Sequence, residues 1–77
     1  PGTLECLRLD QIDPPLPASD RANGSLSLDA DGRLLVHLAG GVLPLRRVTP
    51  AGGREMDGAA LVRGRPEIVE AHARIAP

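Results

Sequence analysis

The side chains able to do chemistry are few, and their spacing assigns no reaction. His37 and His72 are the two histidines, and Cys6 is the one cysteine, in a chain of 77 residues. Nucleophilic catalysis needs a Ser, Thr or Cys beside a base, with a further group orienting that base. His37 falls inside a strand pattern between Val36 and Leu38, and His72 lies on an amphipathic tail, so both read as packed or surface side chains. Folding leaves open an approach of a histidine to Ser25, Ser27 or Cys6, yet no acid, base and oxyanion donor stand together in the sequence. The expected sets of catalytic, cofactor-binding and metal-ligating residues are therefore all empty. Cys6 has no second cysteine to pair with and no Cys or His at ligand spacing, so it reads as a small buried hydrophobe. Asp29-Ala30-Asp31-Gly32 echoes the start of a calcium loop, but the later ligands and the distal Glu are missing and it reads as a turn. Gly40-Gly41 and Gly52-Gly53 lack the Lys and Ser/Thr, or the spaced third glycine, of a phosphate loop.

The arginines carry more. All nine basic residues are arginine. Arg46 and Arg47 end a strand pattern, Arg54 follows a glycine turn, and Arg63 and Arg65 flank Gly64. If these five converge, they are candidate contacts to phosphate, tRNA or a protein partner, because a guanidinium forks onto phosphate oxygens. The competing reading is that they solvate exposed faces or pair with Glu55, Glu67 and Glu70. Charge favours the second: residues 1–32 hold two arginines against six acids, the remainder seven against four, and the net is -1. That balance is no footprint for strong nucleic-acid binding.

The elements that must position these groups are short. One core is all that 77 residues can build, and with no Phe, Trp or Tyr it must be packed from Leu, Val, Ile and Ala. Aromatic stacking platforms are excluded. No apolar run approaches the roughly 20 residues that cross a bilayer, and no targeting peptide precedes the first strand, so a soluble, cytoplasmic chain without membrane contact is expected. Eight prolines and nine glycines punctuate the chain into strands joined by turns. Leu4 to Ile12 reads as a strand whose phase shifts between Leu4/Cys6 and Leu7/Leu9, as at a bulge. Asp13 to Gly24 is the longest loop, too polar to bury a face. Ser25 to Asp29 and Arg33 to Ala39 form a hairpin around Gly32, and Val42 to Val48 follows after Gly40-Gly41, with Pro44 confined to a sheet edge or bulge. Asp57 caps a helix over residues 58–63 that Gly64 ends in a left-handed conformation. Pro66 opens a terminal helix that carries Ile68, Val69, His72 and Ile75 on one face.

The stretch DGRLLVHLAGGVLPLRRVTPAGGREMDGAALVRG, from Asp31 to Gly64, resembles the C-terminal domain of the methionyl-tRNA formyltransferase family. The matching positions are Gly41, Leu43, Leu45, Val48, Pro50-Ala51-Gly52, Met56, Asp57, Ala59, Leu61 and Arg63-Gly64, without a gap from Pro50 onward. The departures are Pro44 where the family has a polar or basic residue, Leu61 where an aromatic is usual, and an acidic, proline-rich loop in place of a basic one. The resemblance implies a mainly β fold, a small open β-barrel of OB-like type. A short helix follows the last clear strand, and a terminal helix is read from the tail. It implies a single formyltransferase C-terminal-like domain over residues 1–77, as part of a larger enzyme or separate from it. In the family, the Asn, His and Asp set and the formyl-folate site lie in a Rossmann-like domain of which this chain has nothing. The implied role is therefore accessory: packing against a catalytic formyltransferase domain, in cis or in trans, or positioning its substrate, with 10-formyltetrahydrofolate a cofactor of that parent alone. The alternative is a free-standing barrel that binds RNA or tRNA phosphates through Arg46, Arg47, Arg54, Arg63 and Arg65.

Overall fold

A computed structural model describes residues 4–75. Alternating aliphatic residues give four strands in the first two thirds: β1 (Leu4–Ile12), β2 (Ser25–Leu28), β3 (Leu34–Leu38) and the long β4 (Gly41–Pro50). Then come a two-residue strand β5 (Met56–Asp57), the helix α1 (Gly58–Gly64), a 3₁₀ turn (Pro66–Glu70) and β6 (His72–Ile75). β2, β3 and β4 form an antiparallel meander. β4 also runs antiparallel to β1, which in turn pairs parallel to β6, and β6 touches β2 through Ser25 and His72. Five strands thus close into a ring in the order β1-β6-β2-β3-β4, and β5 adds to β4 beside it. The chain is a mainly β barrel with short helical segments, as expected, and its ring is closed by the β1–β4 ladder instead of being left open.

The inward positions of each strand meet in one aliphatic cluster of Leu7, Leu26, Leu34, Val36, Leu45 and Val48. Leu61 from α1, together with Ile68 and Ala71 from the segment after it, plugs the cluster. Each fully buried aliphatic side chain contributes roughly 1.5–3 kcal/mol by leaving water, and no aromatic ring is needed to fill a ring of five strands.

Pro44 sits in β4 just before Leu45, where the ladder to β1 ends beside a register shift, so it lies at a local sheet edge as expected. Its C=O accepts from the Asp13 N–H at 3.0 Å, so its nitrogen also points at the loop beyond β1 and not at β3. The missing N–H therefore costs no bond of the β3–β4 ladder, and the ring itself is fully buried. The bulge in β1 falls between Leu9 and Ile12, later than the sequence phase indicates. There Asp10 accepts from the Thr49 hydroxyl at 2.7 Å and from Arg8 Nε at 2.9 Å, which ties the bulge to β4. The Thr49 bond, then Arg8, holds the Asp10 carboxyl below its usual range. Leu4 and Cys6 lie on the outer side of β1, with Leu4 61% exposed, and the expectation of a buried Cys6 is corrected to an exposed thiol.

Three further corrections concern helix ends and the tail. Asp57 stands at the N-cap position with extended backbone but makes no side-chain capping bond, because Arg47 takes its carboxylate. Gly64 is the last helical residue and has no positive φ; the N–H of Arg65 returns to the Leu61 carbonyl. The terminal helix is absent: after the 3₁₀ turn, Ala71 extends and β6 fills the open edge of β1. Among the described residues, no helix is long and apolar enough to cross a membrane.

Candidate functional site

Three of the five candidate arginines are paired with carboxylates. Arg46 reaches Asp13 at 3.3 Å, a carboxylate that Arg33 also holds at 3.0 Å. On the next position of β4, Arg47 bonds Glu55 at 2.6 Å and Asp57 at 2.8 Å. Arg65 reaches back across the barrel end to Glu5 at 2.6 Å and touches Glu67 at 3.4 Å. Arg54 and Arg63 form no ion pair among the described residues. The pairing expected of Glu67 with an arginine is present, and three of the five guanidinium groups are committed to carboxylates.

A cleft of about 280 Å³ opens between the turn after β4 and the helix α1. Its walls are Pro50, Ala51, Gly52 and Gly53 on one side and Met56, Ala60, Leu61 and Gly64 on the other, with Arg65 at the rim. Local sequence dictates this shape. Pro50 ends the ladder, Gly52 takes φ +74 to turn the chain, and a Cβ on Gly53 would stand 2.9 Å from the Pro50 ring. Gly58 lets α1 lie directly on β4, since a Cβ there would collide with the Leu45 carbonyl oxygen.

A second polar grouping lies on the opposite side of the sheet from the core. Strand alternation puts Ser25, Ser27, Leu35 and His37 on the outer face of the β2–β3 hairpin. The loop between β1 and β2 is fastened to this region by the Leu16–Val42 bridge and by Asn23 Oδ1, which accepts from the Ala39 N–H at 3.2 Å. The polar loop thus helps bury Leu35, His37, Val42 and Pro44 outside the barrel, against the expectation that it covers nothing.

His37 is only 6% exposed, and both of its ring nitrogens are engaged. Nε2 lies 2.7 Å from Ser27 Oγ, and Nδ1 lies 2.8 Å from Ser19 Oγ, which also accepts the Arg21 N–H at 3.2 Å. Burial, then the charge of Arg21, pushes the imidazole below its ordinary value of 6.5, so it is neutral at pH 7. Ser27 and Arg21 also line a second cleft of about 300 Å³, with Leu26, Leu28 and Val69. Hairpin alternation carried the signal for Ser27 beside His37. Nothing in the loop marked Ser19.

Asp29 organises its turn: Oδ1 accepts from the Asp31 and Arg33 N–H groups at 2.9 and 2.8 Å, and Oδ2 accepts from Arg33 Nε at 2.7 Å. No cluster of three or more His, Cys, Asp or Glu side chains suited to a metal ion occurs among the described residues. No family model matches the chain, and no curated protein sequence matches it.

Proposed function

We propose that this chain is an accessory domain of a 10-formyltetrahydrofolate-dependent formyltransferase, without formyl-transfer machinery of its own, which packs against the catalytic domain or positions its substrate. The observation that supports this reading is the first cleft. Pro50-Ala51-Gly52, Met56 and Gly64 carry the resemblance to the formyltransferase C-terminal domain, and they line one concave surface with Leu61. Arg65 adds a charge at its rim, but that charge is already balanced by Glu5 and Glu67, so the cleft favours an apolar contact over an anion.

The test is titration calorimetry of this chain against a catalytic formyltransferase domain. Association that weakens at least tenfold when Ala60→Arg fills the cleft supports the reading. No heat of binding at high micromolar concentrations overturns it. RNA binding through the arginines draws less support, because Arg46, Arg47 and Arg65 would each have to leave a carboxylate before gripping a phosphate.

A further inference from the structure

The outer face of the β2–β3 hairpin carries an arrangement that the accessory role leaves unused. Ser27 Oγ is within hydrogen-bond distance of a histidine nitrogen, and the other nitrogen of the same ring is held by a second hydroxyl. A nucleophile, a base and a group that orients the base are parts that acyl transfer uses. We propose that Ser27 is a reactive nucleophile that takes an acyl group from activated esters, with His37 as its general base and Ser19 as the positioning residue.

The step balances within these groups. With the ring proton on Nδ1 and donated to Ser19 Oγ, Nε2 is left as an acceptor for the Ser27 hydroxyl. Ser27 Oγ attacks the ester carbonyl carbon and its proton passes to Nε2. The tetrahedral oxyanion collapses, the bond to the alcohol oxygen breaks, and the alkoxide or phenolate leaves with the electron pair. His37 then gives its proton to the leaving group or to water. The neutral imidazole that this needs at pH 7 is the form that its burial favours.

The composition makes the experiment clean, because the chain has no lysine and only one thiol. In a Cys6→Ala background, which removes the exposed thiol, the chain is incubated with p-nitrophenyl butyrate. Intact-mass and peptide mass spectrometry then count and place the acyl groups. The expected result is one butyryl group on Ser27, absent from Ser27→Ala. His37→Gln should slow the labelling by about 10²-fold or more, the usual worth of a positioned general base. The rate should rise with pH through a midpoint below the ordinary imidazole value of 6.5. Ser19→Ala should lower the rate and Ser19→Thr restore it, which a merely structural hydroxyl would not do. No labelling, labelling confined to the amino terminus, or equal labelling of Ser27→Ala overturns the proposal. Should His37→Gln fail to fold, the Ser27→Ala comparison still decides, because Ser27 is a partly exposed side chain outside the core.

Discussion

At the scale of single residues, the His37 ring ties three segments together: β3, which carries it, β2 through Ser27, and the long loop through Ser19. Its proton affinity in the folded state lies below the ordinary value of 6.5 because burial and the Arg21 charge disfavour the cation. Below that value the unfolded chain binds more protons than the folded one, so stability rises with pH through this window and falls as pH drops below about 6.5. Urea denaturation at pH 7.5 and at pH 5 should therefore show a lower midpoint at pH 5. In His37→Gln, which cannot be protonated, the part of that drop between pH 6.5 and 5 should shrink. A second residue-scale expectation concerns Gly58. Alanine is the better helix former by about 1 kcal/mol, yet its methyl group would drive into the Leu45 carbonyl where α1 rests on β4. Overpacking of this kind costs roughly 1–3 kcal/mol, so Gly58→Ala should lower the thermal midpoint.

At the scale of elements, the strands were legible and the tail was not. Alternation in Ser25–Leu28 and Leu34–Leu38, with turn residues between, marks the hairpin because each strand has one face toward the core. β1 and β4 were legible for the same reason, although Glu5, and not Leu4, continues its inward set with Leu7 and Leu9. The tail failed because helical spacing and a short 3₁₀ turn look alike over a few residues. What decided it was the edge of β1 from Leu4 to Leu7, an unpaired row of backbone groups that His72–Ile75 satisfies. No periodicity within the tail encodes that demand. Of the pattern Ile68, Val69, His72 and Ile75, only Ile68 reaches the buried core, while Val69 packs partly against it. Ile68→Ala should lose about 2–5 kcal/mol, measured by chemical denaturation, while Ile75→Ala should cost far less. The candidate site divides in the same way: the cleft residues were visible as a run, whereas the meeting of Ser19 with His37 depends on how a proline-rich loop lies on a sheet.

At the scale of the whole molecule, charge is spent internally. Asp13 serves both Arg33 and Arg46 and Glu5 serves Arg65, so charges of the acidic first half meet those of the basic second half, while Arg47 is paired within its own half by Glu55 and Asp57. These pairs are largely exposed and screened by solvent, so each adds little to stability. Their larger effect is on partners, since a protein with net charge -1 and three of its five candidate guanidinium groups already paired releases few counterions from RNA. A fluorescence titration with tRNA should therefore show weak binding with a shallow salt slope, hardly altered in the Arg46→Ala, Arg47→Ala double variant. A steep salt slope that this variant flattens would restore the RNA reading.

The closure of the ring through β1 has a temporal side. β2, β3 and β4 follow one another along the chain and can pair as soon as they are made, because their contacts are local. β1 is made before all of them, yet its partners are β4 and β6, the fourth and the last strands. During synthesis, Leu4–Ile12 is therefore made before either of its partners. Of the five ring strands the first waits longest, and the ring shuts only once β6 is there to pair with it.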